Sequence, residues 1–233
     1  MSDIPIIFSG PMVSALLDGR KTQTRRLAWR ATGSFVGEGP AKPGYKVIYS
    51  NVGSTPVPLQ YAPSPWQRVK AGDLLWVREA HYVECAGYLD GTGQRILYRA
   101  NDPDAPCTWT PGIHMARFAS RLTLECTAGA RVEPLQAISR EDAFAEGATE
   151  KPNCTGFQSK QPGWSMDWRE PYEDHALGDP TMAFANFINQ LHGGPRWNLK
   201  PTNLWAENPD VVALTFKVHT ANIDAFKAQR QAA

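Results

Sequence analysis

No stretch of this chain comes near the ~18–20 consecutive apolar residues of a membrane-spanning helix, so no membrane partner is expected. The opening Met1-Ser-Asp-Ile-Pro5 lacks the charged region and apolar run of a signal peptide, and a cytoplasmic protein is the expectation. Charge of one sign is also scarce. Lys and Arg number 24 against 23 Asp and Glu, leaving a net charge of +1. No global field therefore draws the chain to nucleic acid, and any such contact must come from a local patch. The cysteines Cys85, Cys107, Cys126 and Cys154 lie far apart and form no Cys-x-x-Cys pair, which argues against zinc and for reduced, structural thiols. Cys85 has no histidine partner that would make it a nucleophile. There is no Gly-x-Ser-x-Gly, no P-loop and no dinucleotide fingerprint. Glu79-Ala-His81 offers two metal ligands with no third spaced nearby, so neither a metal nor another cofactor is expected.

What is present suffices for a core. Hydrophobic residues make up 42% of 233 residues, consistent with one domain or one domain with large insertions. Ile4, Ile6 and Phe8 alternate as in a strand. Ser9 or Gly10 can cap a helix with Pro11 at its first position, and Gly19 is a natural stop. Residues 29–70 are rich in Gly, Pro and Ser and read as an insertion with one strand at 45–49. A strand is predicted over 73–78, with 95–99 as its hairpin neighbour. Leu122, Leu124 and Cys126 would face the core from the next strand, and 130–133 would extend the sheet. Ser139-Arg-Glu-Asp142 opens a short helix that stops at Gly147. Residues 148–178 read as a second insertion. A third helix starts at Asp179-Pro180, with Phe184, Phe187, Ile188 and Leu191 on its apolar face. Val212, Leu214, Phe216 and Val218 define a last strand. Residues 220–233 read as a peripheral tail on a single domain spanning 1–219. This irregular alternation predicts a mixed α+β fold, a small barrel with about three packed helices and two long loop insertions.

The candidate chemistry concentrates just after the first helix. Arg20, Lys21, Arg25 and Arg26 fall within seven residues, with Thr22 and Thr24 among them. One reading is a solvated basic turn. The other is a cleft in which like charge depresses the Lys21 pKa, so that neutral Lys21 takes the Thr24 proton. The arginines would then hold an oxyanion or a phosphate. Glu146 sits in the last turn of its predicted helix, where the macrodipole disfavours a carboxylate, so a cationic partner or a task is expected. Trp76 and Arg78 share a strand face beside Glu79 and either clamp a base or form core and an edge ion pair. His114 and Arg117 precede a strand and line either a site or the surface.

The chain resembles the ASCH domain family of the PUA-like superfamily, in particular its larger phage and prophage members. The resemblance rests on Ile6-Ile-Phe-Ser-Gly-Pro-Met12, Leu17-Asp-Gly-Arg-Lys-Thr-Gln-Thr-Arg-Arg26 and Gly72-Asp-Leu-Leu-Trp-Val-Arg-Glu79. It extends to Ile113-His-Met-Ala-Arg-Phe-Ala-Ser-Arg121, Ile138-Ser-Arg-Glu-Asp-Ala-Phe-Ala-Glu-Gly147 and Val211-Val-Ala-Leu-Thr-Phe-Lys217. It implies a PUA-like β-barrel whose cleft is lined by the first helix and the basic motif. Small bacterial members are amidohydrolases that deacetylate N4-acetylcytidine with a Lys-x-x-Thr motif and a Glu. Lys21, Thr24 and Glu146 match that trio, and Arg26 matches a further basic residue. Ser9, Trp76, Arg78, Glu79, His114 and Arg117 fall in or beside the matched segments as substrate-binding candidates. The resemblance thus implies hydrolysis of an acylated nucleoside; no cofactor, a monomer or weak dimer, and a place in the cytoplasm, that of the host if phage-encoded, are the accompanying expectations. The alternative is a non-catalytic module binding RNA or modified nucleic acid. The chain departs from the small enzymes in its length, in its two insertions and in the Trp76/Arg78/Glu79 signature.

Overall fold

A computed structural model of the chain describes residues 2–35, 46–52, 55–84, 95–151, 163–166, 177–193 and 203–232. In chain order these form β1 (Asp3–Ile7), α1 (Gly10–Leu17), β2 (Gln23–Leu27), β3 (Trp29–Phe35), β4 (Lys46–Val52) and β5 (Thr55–Pro63). Then come β6 (Leu74–Arg78), β7 (His81–Glu84), β8 (Arg95–Tyr98), β9 (Thr123–Cys126), β10 (Arg131–Pro134) and α2 (Arg140–Ala145). The chain continues through β11 (Thr149–Lys151), β12 (Gly163–Ser165), α3 (Pro180–Gly193), α4 (Leu204–Glu207), β13 (Asp210–His219) and α5 (Ile223–Ala232). The fold is mixed α+β, with a curled, half-barrel sheet. Five α-helices are present among the described residues, where about three were expected.

The spine of the sheet is β13. Its first half pairs antiparallel with β2, from Val211↔Leu27 to Thr215↔Gln23. Its other pairings are to β10 over Asp210–Ala213 and to β9 over Phe216–His219. Next to β9 lies β6, and β1 runs parallel to β6 at the far edge, with Ile7 opposite Arg78. Alternation along β13 puts Val212, Leu214 and Phe216, each 2% exposed or less, into a core with Phe8, Met12, Val13 and Leu16. Burial of each such side chain stabilises the fold by ~1.5–3 kcal/mol. Leu122, Leu124 and Cys126 join this core, as their spacing predicted. Val211, on the opposite face, packs with Phe184 and Ile188 of α3 and Ala143 of α2. Leu191, expected on that apolar face, is exposed.

Three expectations give way. Residues 29–70 carry more than one strand: β3, β5 and β4 make a sheet of their own. Alternation in β5 was masked by Pro56, Pro58 and Pro63. The partner of β8 is β7, with His81 opposite Tyr98, and not the 73–78 strand, whose edges are taken by β1 and β9. The tail is no loose end. Ile223 is fully buried and Phe226 nearly so, both packed against Leu74 on the face of β6 turned away from Leu75 and Val77. Within 148–178, β11 and β12 pair antiparallel. Tyr45, Cys85 and Cys154 lie outside the described residues. Among the described residues no helix is long and apolar enough to cross a membrane.

Candidate active site

Two chain reversals build the site. Gly19, at φ +71°, ends α1 in the left-handed region that glycine tolerates. The N–H groups of Arg20 and Lys21 both donate to Ala15 O at 3.0 Å and aim the chain into β2. Thr22 N–H then donates to Ala145 O at 2.8 Å, while Thr22 O accepts from Phe216 N–H at 2.9 Å, so the motif is pinned between β13 and the end of α2. Helix α2 starts as its sequence predicted, Ser139 Oγ accepting from Asp142 N–H at 3.1 Å. It ends at Glu146, and Gly147, at φ +108°, turns the chain away. A Cβ on Gly147 would touch Ala15 Cβ at 3.5 Å and Lys21 Cβ at 3.8 Å, so the two reversals lie in contact.

Lys21 and Glu146 meet between them. Lys21 Nζ donates to Glu146 Oε2 at 2.6 Å and to the Glu146 carbonyl at 3.0 Å. Both side chains are buried, at 1% and 3% exposure. Burial pushes the Lys21 pKa below its ordinary value; Glu146 opposes this, while Arg26 and Arg25 add to it. Desolvation is thus the larger cause, ahead of the like-charge repulsion that sequence reasoning put first. The other Glu146 oxygen, Oε1, accepts from Arg25 Nη1 at 3.2 Å. The carboxylate at the negative end of α2 therefore has two cationic partners, as its position required.

Arg25 is itself the hub of a buried network. It bonds Gln23 Oε1 at 2.5 Å, Glu133 Oε1 at 2.8 Å and Asp142 Oδ2 at 2.7 Å. Arg131 reaches the same Glu133 and Asp142 carboxylates from outside. Lys21, Arg25 and Arg131 thus balance Glu146, Glu133 and Asp142, the condition under which charges can be buried. The basic motif is accordingly not a solvated turn. Sequence reasoning missed Arg25 as a structural hub. The available signal was its place two residues after Gln23 on a strand that carries polar residues on both faces.

Thr24 lies opposite Leu214 in the register and is 1% exposed. On the same face Arg26 lies opposite Val212. The Thr24 hydroxyl has no hydrogen-bond partner among the described residues, Lys21 included. Phe8 joins the two sides: its ring centroid is 5.9 Å from Lys21 Nζ and 5.0 Å from Arg26 Cζ. Arg26 Nη2 donates to Ile7 O at 2.7 Å, bridging the open gap between β2 and the end of β1. His192, in the last turn of α3, is a neighbour that sequence reasoning did not single out. Desolvation and then the Arg26 charge hold its imidazole below the ordinary 6.5.

The other candidates lie elsewhere. Ser9 is exposed at the start of α1, next in sequence to Phe8, and its side chain makes no capping bond. Trp76 and Arg78 do share a face, with Arg78 Cζ 5.4 Å from the Trp76 ring centre. The register of β1 on β6 puts that face on the Ile7 side, away from Ile6, Phe8 and the Lys21 cluster. Arg78 Nη2 donates to Ile113 O. Glu79 is buried under a bidentate Arg121, at 2.8 and 2.9 Å, which stacks on Tyr98 at 3.9 Å. Arg117 is committed to Asp3 and Asp224, tying α5 to β1. His114 is exposed at the end of a single 3-10 turn. The structure therefore gathers Lys21, Glu146, Arg26 and Phe8, with Thr24 on the Arg26 face. It does not bring Trp76, Arg78, Glu79, His114 or Arg117 to them.

Among the described residues no group of three or more His, Cys, Asp or Glu is placed to hold a metal ion. No family model, no curated protein and no solved structure matches this chain.

Proposed function

We propose that the chain is an ASCH-type amidohydrolase on a PUA-like barrel, removing the acetyl group of N4-acetylcytidine or a related acylated nucleoside. The observation that carries this reading is the fully buried Lys21 held at 2.6 Å on Glu146, joined to Thr24 by the Lys-x-x-Thr spacing. A lysine whose charge is disfavoured by burial sheds its proton more readily than a free one and can act as a base. Glu146 Oε2 takes up the proton that Lys21 sheds. Neutral Lys21 then accepts the Thr24 proton as Oγ1 bonds to the acyl carbon. The carbon–nitrogen bond breaks, and the cytidine amine leaves with the proton from Lys21. A water molecule, deprotonated by Lys21, attacks the threonine ester, so that acetate leaves and the hydroxyl is restored. Arg26, half-buried on the Thr24 face, donates to the developing oxyanion. The Thr24 hydroxyl is not yet bonded to Lys21; catalytic hydrogen bonds often tighten only once substrate is bound.

The RNA-binding reading needs the cations of the motif at the surface to meet phosphates. Lys21 and Arg25 are 1% and 4% exposed and neutralised by carboxylates, so the observations favour the enzyme. The test is cytidine release from N4-acetylcytidine by the intact protein and by Lys21→Ala and Thr24→Ala. Loss of at least ~100-fold in both supports the mechanism. Hydrolysis undiminished in both sinks it.

A further inference from the structure

We propose that Arg25 is a positioning residue for the site: its guanidinium, clamped by Gln23, Glu133 and Asp142, holds Glu146 Oε1 and thereby turns Oε2 onto Lys21 Nζ. The inference rests on the reading of Lys21 as the base, and it adds a residue that touches none of the reacting atoms. The geometry is specific. Nη1 is shared between Gln23 Oε1 at 2.5 Å and Glu146 Oε1 at 3.2 Å. Nη2 is shared between Glu133 Oε1 and Asp142 Oδ2 at 2.8 and 2.7 Å, and Nε returns to Glu133 Oε1 at 3.1 Å. A planar fork with five donors can satisfy this set, whereas a lysine ammonium cannot. Gln23 is fixed in turn, donating to Asp142 Oδ1 at 3.1 Å and Thr215 Oγ1 at 3.3 Å.

The clamp is built from three elements. Gln23 and Arg25 come from β2, Glu133 and Arg131 from β10, and Asp142 from α2, with Glu146 following at its end. The Phe184 ring of α3 closes the remaining side, 5.9 Å from Arg25 Cζ. Around Lys21 the charged groups are Glu146 from the end of α2 and Arg25 and Arg26 from β2. The charge of Arg25 acts on Lys21 in two ways with one sign, against the bond from Glu146 Oε2 that favours protonated Lys21. That charge disfavours protonation of Lys21 directly, and it takes up part of the Glu146 charge that would otherwise favour it. With Glu146 still held by Nζ at 2.6 Å, removing the Arg25 charge lets Lys21 keep its proton to higher pH and leaves less of the neutral amine at a given pH.

The test follows the Lys21 side chain by its 13Cε resonance, titrated in the intact protein, in Arg25→Met and in Arg25→Gln, with a 1H–15N spectrum reporting the fold. The proposal expects the Lys21 midpoint to move to higher pH in whichever variants keep the native spectrum. It also expects the low-pH limb of kcat/KM for N4-acetylcytidine to move with it, and kcat to fall ~10- to 100-fold, the size of loss found when a residue that orients a metal ligand is removed. KM changes little. A Lys21 midpoint that stays in place in a folded variant overturns the proposal, whatever the activity. A wild-type protein without hydrolase activity overturns the proposed function but leaves the titration to decide the role of Arg25.

Discussion

Replacing Lys21 by Met removes the donor that bonds both Oε2 and the carbonyl of Glu146, at 2.6 and 3.0 Å. The Glu146 side chain is 3% exposed and cannot turn to water, but Arg25 remains on Oε1 at 3.2 Å. Deleting one partner of a buried ion pair costs ~3–5 kcal/mol, and the surviving Arg25 contact places Lys21→Met at the low end, ~3 kcal/mol. Glu146→Leu leaves Nζ with one carbonyl acceptor; Lys21 can then discharge, which limits the loss to ~2 kcal/mol. The double variant leaves no unpaired charge and should cost no more than the worse single, so the expected coupling is ~2 kcal/mol. Urea unfolding at neutral pH with linear extrapolation measures all three, provided the slope is unchanged. Coupling below ~0.5 kcal/mol would refute the claim that the two side chains act as a buried pair. The same variants carry a pH signature. Because the folded pKa of Lys21 lies below its ordinary 10.5, the unfolded chain binds the proton more tightly. Wild-type stability thus gains as pH rises from the folded value toward 10.5, and Lys21→Met lacks that gain.

Three further perturbations probe the frame around the site. Ile223→Ala, at a fully buried position of α5, should cost ~2–4 kcal/mol in urea unfolding, where a peripheral tail would show under ~0.5. Gly147→Ala meets its neighbours at ordinary contact distances but must hold φ +108°, so thermal unfolding should report a loss of ~1–3 kcal/mol from backbone strain alone. The Cys126 thiol is pushed up to about 12, chiefly by burial and further by Asp73 and Glu125. At pH 8 its alkylation, followed by peptide mass spectrometry, should be about a thousandfold slower in the folded protein than in urea.

Much of the frame was legible because local rules decided it. Pro11 and Gly19 bound α1, Ser139 and Gly147 bound α2, and simple alternation marked β13 and β9. Glu146 was legible for the same reason: a carboxylate at the wrong end of a helix needs a cation, and it has two. Where the local signal was weak or broken, the reading failed. Prolines hid the alternation of β5, and the four-residue β7 was too short to announce itself as the partner of β8. The polar, alanine-rich tail hid an amphipathic helix with two buried anchors. For the role of Arg25 the sequence carried only a weak local signal, its place after Gln23 on a strand polar on both faces. Its carboxylate partners Glu133, Asp142 and Glu146 lie 108, 117 and 121 residues further along, and only the fold brings them to one guanidinium. Trp76 and Arg78 failed in the opposite way. Their shared face was read correctly, but which side of the sheet it faced depended on the pairing with β1.

The central claim is that Thr24 is the nucleophile beside a Lys21–Glu146 base. Its most direct test is to incubate the protein with N4-acetylcytidine, quench in acid, and follow cytidine release together with the peptide carrying Thr24. The claim predicts an acetyl group on Thr24 during turnover, and loss of both adduct and cytidine release in Thr24→Val, a change that preserves shape and leaves no buried partner unpaired. Full cytidine release by Thr24→Val, folded and unacetylated, would contradict it.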